Sequence, residues 1–174
     1  GSLRLTEQAL QLLPRHWRYA YTAAIMLNAT GYTLIGQPRM AQERLQQALA
    51  DPQLADQPRS LAWLFYGQAF MYWGELDLSQ MKLVAGQDLA LGQKLNLPEP
   101  LVFAQFFLGS VHYYQNHLVE AQRYFHAAVS IRAMSNLRVR AQAVCGLALT
   151  YLALGQAEQA DELLTEEQVI ALER

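Results

Sequence analysis

The sequence holds a single cysteine, Cys145, among 174 residues. A lone thiol excludes an internal disulfide and fits a reducing compartment, so a cytoplasmic location is expected. Charge is also scarce: 16% of residues are Asp, Glu, Lys or Arg, the formal net charge is −2, and the only lysines are Lys82 and Lys94. Neither lysine follows a glycine-rich loop, so there is no phosphate-binding loop, and no dinucleotide fingerprint occurs either. A near-neutral balance gives no electrostatic footprint for nucleic acid. The densest basic segment holds Arg132, Arg138 and Arg140 around an expected turn, too few for a DNA-binding surface. Long apolar runs are missing as well. The longest charge-free stretch, Tyr19 to Pro38, is broken by Asn28, Thr30, Thr33, Gln37 and two glycines, and reads as soluble rather than as a membrane span. No secretory signal follows Gly1-Ser2, which has the form of a cloning remnant.

Catalytic groups are equally thin. His16, His112, His117 and His126 have no companion cysteine or carboxylate at metal-ligand spacing, so neither a metal nor a cofactor is expected. His112 reads as a packed ring, and His117 and His126 as solvent-facing. Cys145, between Val144 and Gly146, reads as a small core or groove residue, and Glu166-Glu167 as a solvated carboxylate pair. No nucleophile, base and orienting group assemble. The chain is expected not to be an enzyme.

What the sequence does have is enough apolar matter for one continuous core, 52% of residues, and an internal repeat. Aligning short turns on Gly36, Gly74, Asn116 and Gly155 gives separations of 38, 42 and 39 residues. Seven residues before each turn lies a small residue: Ala29, Gly67, Gly109, Ala148. Four before it lies a ring: Tyr32, Phe70, His112, Tyr151. Five after it comes Ala41, Ser79, Ala121 or Ala160, and nine after it Leu45, Leu83, Phe125 or Leu164. Helical spacing of apolar residues flanks each turn, and Gly or Asn accepts the left-handed backbone such a turn requires. Pro38 sits where a second helix would begin, and Pro52, Pro58, Pro98 and Pro100 fall between units. No β-type alternation of useful length appears. The fold expected is all-α.

These columns resemble the tetratricopeptide repeat, and their longer, degenerate units are similar to the repeat region of the MalT-like family of bacterial signalling ATPases and transcriptional regulators. That resemblance implies a right-handed α-solenoid of antiparallel helix pairs over residues 1–174, a single domain. Four repeats span 18–53, 58–95, 100–134 and 138–165. Residues 3–13 end a preceding repeat, and 166–174 form a terminal helix. The apolar first helix and the Gly1-Ser2 remnant suggest a fragment of a larger protein. The function implied is a non-catalytic protein- or ligand-sensing module regulating such an ATPase or regulator; the alternative is a free-standing adaptor that scaffolds partner proteins.

Charge is divided unevenly between the helices of each unit. None lies in Tyr19–Gly36, Leu61–Gly74, Leu101–Val119 or Ala141–Ala157, whereas second helices carry residues such as Arg39, Glu43, Lys82, Asp88, Glu120 and Glu158. In repeats of the family it resembles, first helices line the concave face. By that resemblance the groove would hold Met26, Thr30 and Thr33 from the first unit, and Leu64, Gln68, Met71 and Tyr72 from the second. The third would add Phe103, Phe106, Ser110, Tyr113 and Tyr114, and the last Gln142, Cys145 and Leu149. An aromatic, uncharged groove of this kind suits a protein or peptide, another domain of the same protein, or a small-molecule effector. Homodimerisation is a further expectation; direct contact with nucleic acid or membrane is not.

Overall fold

The computed structural model describes residues 2–131 and 137–172 and is all-helical there. Gly1, Arg132, residues 173–174 and the side chains of Arg138 and Glu167, all drawn into the sequence reading, lie outside what is described. The helices are α1 (Ser2–Leu12), α2 (Arg18–Leu34), α3 (Pro38–Leu49), α4 (Pro52–Ala55), α5 (Pro58–Gly74), α6 (Leu78–Leu95), α7 (Pro98–Tyr114), α8 (Leu118–Ser130), α9 (Leu137–Ala153) and α10 (Ala157–Leu172).

Proline sets the starts. Pro38, Pro52, Pro58 and Pro98 each take the first turn of a helix, where the missing N–H would have had no intrahelical partner. Asp51 also caps α4 and Asp77 caps α6, accepting from the backbone N–H of Gln53 at 2.9 Å and of Gln80 at 3.0 Å. Asn96, in the left-handed conformation at φ 51°, closes α6.

Four turns share one geometry. Gly36, Leu76, Asn116 and Gly155 have positive φ, at 75°, 57°, 59° and 75°. The residue after each donates its N–H back to the fifth residue before it: Gln37 to Tyr32 at 2.9 Å, Asp77 to Tyr72 at 2.9 Å, His117 to His112 at 2.8 Å and Gln156 to Tyr151 at 2.9 Å. The turn centres therefore fall 40, 40 and 39 residues apart, from 36 to 76, 116 and 155. The second is displaced by two residues from the expected Gly74. Gly74 is the last helical residue of α5, and a Cβ there would lie 2.7 Å from the Thr33 methyl group. Its missing side chain serves the close approach of α5 to α2, and an exposed leucine makes the turn instead.

Moving the second turn to Leu76 corrects its columns. Ala69 replaces Gly67, Tyr72 replaces Phe70, Met81 replaces Ser79 and Ala85 replaces Leu83; Met81 and Ala85 are buried, whereas Ser79 and Leu83 are exposed. Gly67 has another role. A Cβ on it would meet Leu45 at 2.8 Å, and one on Gly146 would meet Phe125 at 2.6 Å. Large residues of α3 and α8 thus fill hollows left by glycines of α5 and α9. In the second unit the ninth residue after the turn is small, Ala85, and it is buried in the same cluster as Phe107. Volume is exchanged across each contact so that the sum stays near close packing.

The core has two parts. One gathers α2, α3, α4 and one side of α5 around Ile25, Leu45, Leu54 and Leu64, and the larger runs from α5 to α9 around Tyr66, Phe103, Phe107, Val111 and Phe125. Within it α5 packs against α7 and α7 against α9, while α6 and α8 pack beside them. Residue Leu164, in the column of Leu45 and Phe125, is exposed, because among the described residues no helix follows α10 to cover it. α10 itself runs unbroken to Leu172, so the terminal helix expected over 166–174 is its continuation. Arg140, from the basic segment, donates to the Val129 carbonyl at 2.8 Å and ties α9 to the end of α8.

Candidate functional site

The first-helix columns expected to open onto a groove are largely closed. Met26, Thr30, Leu64, Met71 and Phe103 are buried between helices, because α2, α5, α7 and α9 pack against one another along those faces. Thr30 donates its hydroxyl to the Met26 carbonyl at 2.9 Å, which satisfies it inside the core. Thr33, Gln68 and Tyr72 are half-buried and lie away from the main cavity. Burial holds the Tyr72 hydroxyl proton more tightly than usual, and the nearby Asp77 and Glu75 carboxylates add to the effect.

The remaining seven residues do come together. Phe106, Ser110, Tyr113 and Tyr114 of α7 and Gln142 and Leu149 of α9 line a cleft of about 440 Å3, together with Cys145. Sequence reasoning missed Trp73 of α5, Phe125 of α8, and Ala141 and Gly146 of α9, which complete it. Trp73 was legible in principle. It stands three residues before its turn, as Thr33 and Tyr113 do before theirs, and the two-residue slip onto Gly74 put Met71 in its place.

Each wall has a physical cause. Phe106 and Phe125 form the floor, with ring centroids 6.2 Å apart. Phe125 reaches that depth because α7 and α9 present Gly109 and Gly146 to it, where any Cβ would come within 2.8 Å of the ring. Trp73 stands edge-on to Phe106 at 5.7 Å and 86°, an orientation that aligns ring edge with ring face. Its indole Nε1 donates to the Tyr114 hydroxyl at 3.1 Å, fixing the ring of Tyr114 at the mouth between α5 and α7. Tyr66 donates its hydroxyl to Gln142 Oε1 at 3.4 Å, which orients that amide from below. The Ser110 hydroxyl turns back onto its own helix, donating to the Phe106 carbonyl at 2.9 Å. Tyr114 and Leu149 remain 50% and 52% exposed, and Cys145 is also open to solvent.

Among the described residues, no Asp, Glu, Lys, Arg or His lines this cleft. Two other concavities are different: one is lined by Arg18 and Arg59, the other by Arg140, Glu162 and Glu166. Among the described residues, no three His, Cys, Asp or Glu side chains come together as a metal site, and no helix is long and apolar enough to cross a membrane. His112 lies outside the cleft, half-buried and stacked on Tyr124 at 5.3 Å and 9°; burial and the nearby Lys82 ammonium lower its pKa. His117 and His126 are exposed.

The chain matches no family model, no curated protein sequence and no solved structure. Its chemistry therefore has to be read from its own side chains.

Proposed function

We propose that this chain is a non-catalytic recognition module: a right-handed α-solenoid of antiparallel, tetratricopeptide-like helix pairs whose binding site is the cleft between α5, α7 and α9. We place it as the regulatory repeat region of a larger cytoplasmic signalling protein, of the MalT-like kind its sequence resembles. One observation carries the binding assignment. Three alternate helices build a single uncharged aromatic concavity of about 440 Å3, within the range of pockets that hold small ligands or one partner side-chain cluster. The solenoid reading is supported by the four equivalent turns spaced 40, 40 and 39 residues apart. An occupant touching α5, α7 and α9 at once would fix the spacing of successive helix pairs. Occupancy would then be passed along the repeat as a change in curvature.

The test uses the only thiol, which stands in the cleft wall. Ligands selected without bias on the folded protein, from both peptide and small-molecule collections, should slow the alkylation of Cys145 by a neutral maleimide in proportion to their occupancy. Tight ligands that leave its rate unchanged would place recognition elsewhere and defeat the assignment.

A further inference from the structure

The chemistry of the cleft narrows what it takes, and this inference rests on the recognition-module reading above. We propose that the α5–α7–α9 cleft binds an uncharged, ring-bearing small molecule that presents an acceptor oxygen, such as an aryl ketone or ester.

Shape comes first. The floor is closed by Phe106, Ser110 and Phe125, all buried, and the opening is framed by Tyr114, Ala141, Cys145 and Leu149. A volume of about 440 Å3 is enough for a small ring system. Trp73, Phe106, Tyr113 and Tyr114 offer ring faces and edges to such a guest.

Charge comes second. With no carboxylate, amine, guanidinium or imidazole among the described lining residues, an ionised ligand would lose its hydration and meet no counter-charge from them. A neutral guest loses little and gains the burial of its apolar surface.

The polar groups decide the rest. The Tyr114 oxygen already accepts from Trp73 Nε1, which leaves its own O–H to donate. Gln142 accepts from Tyr66 through Oε1, which leaves its amide N–H groups to donate. The Ser110 proton is committed to its own helix. The two groups directed by their neighbours are thus both donors, and their complement is an acceptor.

Three naphthalene dyes separate these terms on the folded full chain, read by dye emission and by quenching of tryptophan. Phenylnaphthylamine is neutral and has no carbonyl, anilinonaphthalene sulfonate has the same rings plus an anionic group, and dimethylamino-propionyl-naphthalene is neutral with one ketone. The expected order is ketone tightest and sulfonate weakest, with phenylnaphthylamine about tenfold tighter than the sulfonate. Gln142→Leu should weaken the ketone about fivefold and leave phenylnaphthylamine unchanged. Should that variant melt early, Gln142→Glu keeps the shape, replaces the donors with acceptors, and should weaken the ketone likewise. A sulfonate that binds as tightly as phenylnaphthylamine overturns the proposal, and so does a Gln142 variant that spares the ketone. Leu149→Arg, at the exposed mouth, tells the two readings apart. If it abolishes neutral-dye binding while the sulfonate still rivals the neutral dyes in wild type, the ligand class is wrong and the cleft stands. If every dye ignores it, the cleft itself is not the site, and both readings fall.

Discussion

Asp88 lies on α6 with 2% of its surface exposed, and its Oδ1 has no hydrogen-bond partner among the described residues. Burial raises its pKa well above the ordinary carboxylate value, so the carboxyl favours its neutral form in the folded chain. Twelve residues after their turns, the equivalent positions of α3 and α8 hold Ala48 and Ala128, both buried. The fold thus accepts alanine at this place in two other units. Replacing Asp88 with alanine removes a buried polar group without a full set of partners, which costs ~1–3 kcal/mol in protein series. Against this stands a cavity of a few atoms, and at ~24 cal/mol per Å3 a residual void of about 30 Å3 costs ~0.7 kcal/mol. The net expectation at neutral pH is a gain of ~1–2 kcal/mol, or about 2–8 °C in melting midpoint for a chain of this size.

The pH dependence has a definite sign. The folded pKa is raised, so between the unfolded value near 3.9 and the folded value the native state binds more protons than the unfolded state. Wild-type stability should therefore fall as pH rises through that window, by about 1.4 kcal/mol for each unit of elevation. Asp88→Ala and Asp88→Asn should both lose this slope. Urea unfolding of the three proteins from pH 4 to pH 8 measures it. The reasoning is refuted if Asp88→Ala is less stable than wild type at pH 7, or if the difference between them does not grow with pH.

Three further predictions follow the packing. Leu76→Gly should raise stability by ~0.5–1 kcal/mol, because a leucine held at φ 57° and 64% exposed carries left-handed strain with little burial to offset it; thermal unfolding that shows a loss would mean the side chain has a packing role. Phe125→Ala should cost ~3–5 kcal/mol, since the ring fills the hollow between Gly109 and Gly146, and chemical denaturation with a loss below ~1 kcal/mol would contradict that wedge. Gly74→Val should destabilise far more than Gly86→Val. A Cβ at residue 74 meets Thr33 at 2.7 Å, whereas one at Gly86 meets nothing within 4 Å.

Helix class and most helix starts were legible because they depend on local chemistry. Proline at a first turn acts within a few residues of where it stands, as Pro38 does. Pro52, Pro58 and Pro98, expected between units, open α4, α5 and α7 by the same local effect, and Pro100 lies inside the first turn of α7. The period was legible too, apart from the two-residue slip in the second unit. There a glycine kept small for helix contact imitates a turn glycine, while the real turn residue, Leu76, has no sequence signature. The slip carried into the site. Placing Met71 and Leu64 in columns that belong to Trp73 and Tyr66 hid the indole that braces Tyr114. Nor does a helical column reveal how closely the next helix approaches. Met26, Thr30 and Phe103 occupy inward-facing columns and are buried by the neighbouring helix, whereas Cys145 and Leu149 on α9 stay open. Phe125 was legible as a wedge but not as the floor of a cleft, because that role depends on glycines from two other helices.

The central claim is that the α5–α7–α9 cleft is where this protein recognises its ligand, and Tyr114→Ala tests it most directly through paired measurements of affinity and stability. Tyr114 is half-exposed at the mouth, so its removal should weaken the neutral ketone dye by about tenfold or more and lower unfolding stability by less than ~1.5 kcal/mol. The opposite pattern, an unchanged affinity with a large loss of stability, would make Tyr114 a packing residue and contradict the account.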